Sequence, residues 1–553
     1  MHHKLFRDSR FSTARSTVSK ERSSFDLSHD HKLTMNAGEL VPFYIQEVLP
    51  GDTFSFSDAF VCRTSSPPVA PVMDTSLLDQ WLFFVPWRLV WDHTREFFGE
   101  NRDSAWEQEQ EYYIPKYRPE GGFKLGGLGD YFGIPLVSGK PVNALPFRSY
   151  RLIWNELYRD QNTQDPVFID FGDNLATDPS FDVVLPVNKR KDYFTTALPS
   201  PQKGPDVLLP LTGFVPVVTR EAEGNPGSLN TIPLYWNLPD QATFPDGEMY
   251  VFGGRGADSH ILTTGVYSSS EIDQNSMLDN GIPSNLWANM SAAQAGATIN
   301  QLRQAFAVQA LYELDARGGS RYREFLRSHF GVSVPDLTVQ VPEFLAGMST
   351  PINVSQVVQT SATGIGETAQ GNVSAFSKTV SRNSSQFSKS FSEPGFIIGV
   401  CAIRTLQSYQ QGLNRMWSRS SRLDVYHPIL GHIGEQPIFN KEIYTTSDSG
   451  TYDDQVFGYQ EPWAEYRYCQ NYISGYFRSG VDGSLDYWHY ANDFDSLPYL
   501  SDGFVRETSA NIARTLSYTD TTHTNQFLLD FWFDVTATRV MSAYGTPAIL
   551  GRQ

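Results

Sequence analysis

The sequence predicts an all-β protein, a β-sandwich closed by strands from both ends of the chain with helices and a long loop-rich insertion between them. Three observations carry this. Near the C-terminus Phe527, Leu529, Phe531, Phe533 and Val535 alternate with Leu528, Asp530, Trp532, Asp534 and Thr536, a two-residue period with one wholly apolar face. Near the N-terminus TFSFSDAFVCR (53–63) repeats that period and puts Phe54, Phe56, Asp58 and Phe60 on one side. Helical spacing is confined to two short regions in the middle.

In chain order, residues 1–35 read as a mobile basic arm. Through Lys32 they hold seven Lys or Arg against four acids, with many Ser and Thr and little apolar surface to bury. From Leu40 the texture is strand: VPFYIQEV (41–48), TFSFSDAFVCR, then LLDQWLFFVPW (77–87), punctuated by Pro42, Pro50 and Gly51. A helix over 147–159 aligns Tyr150, Ile153, Trp154 and Leu157. Residues 36–553 are expected to form one domain.

Within that domain, residues 200–295 are rich in Pro and Gly and carry ten acids against three bases, which predicts a water-facing insertion. Glu221, Glu223, Asp240, Asp246, Glu248, Asp258 and Asp273 are its candidate surface acids. A helical insertion follows at 296–332. Ile299, Leu302, Phe306, Leu311 and Leu314 recur at helical spacing, Gly318 and Gly319 end that helix, and Tyr322, Phe325, Leu326 and Phe330 stripe the next. A Ser/Thr/Gln/Asn-rich tract, 355–392, then separates the helices from a strand at PGFIIGVCAIR (394–404). Further strands are expected at WAEYRYCQ (463–470), YISGYFRS (472–479) and 527–540.

Composition narrows the function classes. Aromatics are 14% of residues and charged residues 19%, below the roughly 25% usual in soluble domains, a balance that suits extensive buried contact surface. Three cysteines at wide spacing form neither a disulfide framework nor a metal-ligand pattern, as expected for a reducing cytoplasm. No signal core and no run of membrane-spanning length is present. A net charge of −18 argues against general coating of nucleic acid, so any contact with it must be local.

Catalytic motifs are lacking, and no cofactor is expected. His427, His432 and Glu435 could suggest a metal, but Pro428, Gly431 and Gly434 forbid one helix face, so histidines satisfied in a loop are the better reading. Phe376–Leu423 is the one charge anomaly. It carries Lys378, Arg382, Lys389, Arg404, Arg415, Arg419 and Arg422 against the single acid Glu393, interleaved with aromatics such as Trp417. Aromatics among cations are the usual grip on single-stranded nucleic acid. DNA-facing candidates are therefore Lys378, Arg382, Lys389, Arg415, Trp417, Arg419 and Arg422, with Lys4, Arg7, Arg10 and Arg15 of the arm; ion pairs between subunits are the competing reading.

Several segments together resemble one family. EVLPGDTF (47–54), FFVPWRLVW (83–91), IWNELYRDQN (153–162), SYQQGLNRMWSR (408–419), FGYQEPWAEYRY (457–468) and LDYWHYA (485–491) lie in the order found in major capsid proteins of gokushovirus-like Microviridae, small icosahedral single-stranded-DNA bacteriophages. The resemblance implies an eight-stranded viral jelly roll, a T=1 shell of sixty copies around circular single-stranded DNA, and no enzymatic activity. It also implies an internal scaffolding protein, a small basic DNA-binding protein and a DNA pilot protein as partners, assembly in the bacterial cytoplasm, and a threefold protrusion meeting a host receptor, for which 200–295 is the candidate. A carbohydrate-binding or carbohydrate-active β-sandwich is the alternative class.

Overall fold

A computed structural model describes residues 21–101, 110–207, 298–358, 360, 373–446, 452–518 and 525–545, with the backbone of short strands between 217 and 288. The chain divides into two compact units, Gly204–Tyr312 and the remainder.

The larger unit is a sandwich of two antiparallel sheets. Its strands are β1 (Ser23–Asp26), β2 (His29–Met35), β3 (Val41–Val48), β4 (Thr53–Thr64), β5 (Ser76–Pro86), β6 (Glu343–Ile352), β7 (Val354–Val358), β8 (Val373–Ser377), β9 (Thr379–Ser390), β10 (Gly395–Thr405) and β11 (Phe527–Arg539). One sheet runs β2–β11–β4–β9, with β1 continuing the edge of β2 along β11; the other runs β6–β5–β10–β3. Counting β1 and β2 as one interrupted strand, and leaving aside the β7–β8 hairpin, eight strands make two four-stranded sheets. Chain order alternates between the sheets except at β5 and β6, and that is the jelly roll.

Burial explains the strand types. β11 alternates buried and exposed from Phe527 to Ala537, as the period predicts, because only one face meets the opposite sheet. β10 is buried along almost its whole length, because its sheet is covered on both sides. Between the sheets lie Phe43, Phe54, Phe60, Leu82, Ile397, Phe531 and Phe533, with Phe43 stacked on Phe531 at 4.7 Å between ring centres. On the far side of the second sheet Phe83, Phe396, Ile398 and Val400 pack with α1 (Leu145–Ile153) and its π-helical continuation through Tyr158. The expected helix is there.

Four expectations change. The arm does not reach residue 35: β1 and β2 pair with β11 through Ser23–Asp26 and His29–Met35, since a polar strand needs only a neighbour's backbone. Residues 1–20 lie outside the described residues. The polar tract 355–392 is no mere spacer, because β9 pairs with β4, with Arg382, Gln386, Ser388 and Ser390 exposed on it. Pro42 does not end the strand; it sits inside β3, an edge strand, beside a register shift that skips Phe43, the kind of place where a sheet tolerates proline. WAEYRYCQ and YISGYFRS are chiefly 3-10 turns, at Ala464–Tyr466 and Gly475–Phe477, where Trp463 and Gly475 take positive φ.

The two predicted central helices are present as α2 (Ile299–Gly318) and α3 (Tyr322–Phe330), broken by Gly319 at φ +93°. Their spacing was legible, yet no residue of either is fully buried, and Phe306 and Phe330 stay exposed. In the smaller unit the described strands form a three-stranded sheet, around Leu234–Asn237, and one separate pair. Loop connections therefore carry more strand than the composition suggested.

Candidate assembly and nucleic-acid faces

The basic segment 376–423 is held by three different parts of the fold. Phe376 of β8, Lys378 at the junction between the strands, and Val380 and Arg382 of β9 are exposed. Lys378 and Arg382 make no ion pair among the described residues. Lys389 pairs with Glu343 of β6. Arg404, at the end of β10, is spent on Asp79. Arg415 lies 3.6 Å from Glu442 and 3.9 Å from Glu465, donates to the Pro437 carbonyl at 3.0 Å and sits over the Phe439 ring. Arg419 shares Glu465 at 3.3 Å and lies 4.4 Å over Tyr466. The surplus read along the chain is thus largely cancelled in space, by acids contributed from far away in sequence. Trp417 and Arg422 remain exposed.

The same holds for a broad cleft of the larger unit, about 1240 Å³, which Trp81, Phe344, Lys191, Arg317, Arg321, Arg323 and Arg327 help to line. Arg317 pairs with Glu435, Arg321 with Glu324 and Arg323 with Asp336. Its cations are mostly internal struts, leaving little for a polyanion.

A feature that no local pattern announced lies where β10 ends. Glu507 is buried and accepts from the Thr405 hydroxyl at 2.9 Å and the Gln407 amide at 3.0 Å. Burial pushes its carboxyl up to about 7, against the pull of Thr405, Lys189 and Arg404. Lys189 is buried too, its ammonium 4.7 Å over the Phe504 ring, and burial pushes its affinity for the proton down. The backbone locks the junction: Glu507 N–H donates to Val187 and Lys189 N–H to Val505. Gly38 approaches so closely that a Cβ there would lie 2.5 Å from the Glu507 carbonyl oxygen.

The strongest anomaly is apolar. Between 413 and 433 Trp417 is 70% exposed, Leu423 69% and Ile429 93%, and Ile433 is exposed as well. Tyr466, which meets Tyr426 of this segment, is uncovered as well. Exposed apolar side chains gathered in one short segment mark a candidate interaction face.

The remaining sequence candidates are quickly placed. Lys4, Arg7, Arg10 and Arg15, and the insertion acids Glu221, Glu223, Asp240, Asp246, Glu248, Asp258 and Asp273, lie outside the described residues. Glu435 is engaged by Arg317, and His427 opens the 3-10 turn Pro428–Leu430. No cluster of three metal-ligating side chains occurs among the described residues. Nor, among them, is any helix long and apolar enough to cross a membrane.

A jelly roll with an uncovered apolar segment, and with Arg404, Arg415 and Arg419 paired to its own acids, has the make-up of a structural shell subunit. Comparison with known proteins agrees. The profile of the family described as capsid protein (F protein) matches residues 13–549. The chain is 40% identical over 538 residues to capsid protein VP1 of Bdellovibrio phage phiMH2K, covering 97% of each. It is 37% identical to capsid protein VP1 of Chlamydia phage 1, covering 96% of each, and 37% identical to that of Spiroplasma virus 4, covering 96% of this chain and 95% of the relative. The chain belongs to this family of phage capsid proteins, as its resemblance to gokushovirus capsid proteins implied, and its place is the virion. Membership decides between shell protein and carbohydrate-binding sandwich in favour of the shell.

Proposed function

We propose that this capsid subunit assembles as sixty identical copies into a T=1 icosahedral shell around a circular single-stranded DNA genome, and that it performs no catalysis. The observation that carries the proposal is the rigid apolar surface the folded chain leaves uncovered, centred on Ile429. Assembly takes place in the bacterial cytoplasm with an internal scaffolding protein, while a small basic DNA-binding protein and a DNA pilot protein accompany the genome. Residues 200–295 form a threefold protrusion that meets the host receptor; their acidic, Pro- and Gly-rich composition supports a place in water. Among the candidate DNA contacts, Lys378 and Arg382, with Phe376 beside them, have the best claim, since they are exposed and unpaired among the described residues. The arm cations Lys4, Arg7, Arg10 and Arg15 supply further positive charge. Expression with the scaffolding partner, followed by negative-stain microscopy and sedimentation, tests this reading. Uniform particles of cubic symmetry are the expected outcome. A chain that stays monomeric at high concentration with that partner present overturns it.

A further inference from the structure

We propose that the face presented by residues 413–433, with Ile429 and Trp417 at its centre, is a contact between copies of this chain. This rests on the shell-building reading above and names one of the surfaces that reading requires.

Ile429 is almost fully exposed, yet it is held firmly. It rides the 3-10 turn Pro428–Leu430, in which Pro428 fixes φ and Leu430 N–H donates to the His427 carbonyl at 2.8 Å. The Leu430 carbonyl in turn accepts the indole N–H of buried Trp463 at 2.9 Å. Trp417 rides a second 3-10 turn, Arg415–Trp417, capped by the Asn414 side chain, which accepts from Met416 N–H at 3.0 Å. Tyr426 joins this loop to the rest of the surface by an edge contact with Trp463, 5.8 Å between ring centres, and a tilted one with Tyr466 at 6.2 Å. Apolar knobs already ordered before contact lose little entropy on docking, which is the property of binding hot spots.

Charge selects the occupant. A grip on single-stranded DNA needs cations free beside the aromatic faces. Here Arg415 and Arg419 are neutralised by Glu442 and Glu465. Arg422 is exposed, but Asp424 on the same turn is held ionised, pulled down to about 2 by the Ser420 and Ser421 backbone N–H groups. An aromatic and aliphatic centre with balanced charge around it is the anatomy of a protein–protein interface. A subunit of a capsid family meets its own copies by construction.

The test is hydroxyl-radical footprinting of Trp417 and Ile429 in unassembled subunits and in particles, with the full-length chain. Oxidation of both should fall at least about fivefold on assembly, as expected for residues at the dry centre of a contact. In parallel, Ile429→Asp should raise the subunit concentration needed for particles by about tenfold or more without shifting the melting temperature, and Ile429→Leu should restore assembly. Equal labelling in particles and subunits, or normal assembly of the Asp variant, overturns the proposal. Protection gained by adding single-stranded DNA or scaffolding protein to unassembled subunits also overturns it, by giving the face to that partner. Absence of wild-type particles would overturn the shell reading itself and this contact with it, whereas particles with the face still labelled overturn the contact alone. Footprinting needs no variant, so misfolding of the Asp chain would leave the question decided.

Discussion

Arg404 of β10 reaches diagonally across to Asp79 of β5, donating from Nε at 2.8 Å and Nη2 at 2.5 Å to one carboxylate oxygen, while Arg190 donates to the other at 2.6 Å. In register Asp79 stands opposite Ala402, so the arginine lies two residues along the same sheet face, within reach of a long side chain. The carboxylate is buried and both guanidinium groups are partly covered, with Arg404 also over the Trp81 ring at 5.3 Å. Asp79→Ala strands two positive charges at the sheet surface and should cost about 3 kcal/mol of stability, read from urea denaturation. A loss under about 1 kcal/mol would show that water replaces the carboxylate.

Stability should fall as pH rises from about 5 to 8 because of Glu507. Its folded carboxyl titrates at about 7 against 4.5 unperturbed, so the folded state holds the proton more tightly. The contribution is complete below the unfolded value and is lost as pH climbs through the folded one, in all about 3 kcal/mol for a shift of this size. Glu507→Gln should flatten that part of the profile; an unchanged slope would place the titration elsewhere.

Neighbouring residues on β11 should behave oppositely. Phe531 is fully buried between the sheets, and Phe531→Ala should cost about 3–5 kcal/mol by leaving a cavity. Trp532, 52% exposed, should change the melting temperature little when replaced by Ala, within about 0.5 kcal/mol. Similar losses at both positions would contradict the two-residue period.

Gly38→Ala should destabilise by at least about 1–3 kcal/mol from its positive φ alone. The new methyl would also meet the Glu507 carbonyl oxygen at 2.5 Å, and backbone cannot yield as a flexible side chain would. Thermal melting is the measurement, and tolerance would mean that the junction relaxes.

For the genome, Lys378→Gln with Arg382→Gln should reduce DNA retained by particles and flatten its salt dependence, because each lost phosphate contact releases fewer counterions. Arg415→Gln with Arg419→Gln should leave the salt slope unchanged and lower stability instead, since Glu442 and Glu465 lose their partners. DNA content across salt concentrations distinguishes the two pairs.

Much of this protein was determined by sequence alone. The alternation of β11 and β4, the fully apolar run of β10 and the glycine break between α2 and α3 are local patterns, and a local pattern specifies which face of an element avoids water. The family likewise rested on segments readable one by one. Tertiary structure alone decided the polar strands β2 and β9, whose place depends on a neighbour's backbone rather than on their own hydrophobicity. It also decided the fate of the arginines. Counted along the chain, Arg404, Arg415 and Arg419 formed part of a basic segment; in the fold Asp79, Glu442 and Glu465 arrive from other strands and turns to neutralise them. Charge acts through distance in space, and only the packed chain sets that distance.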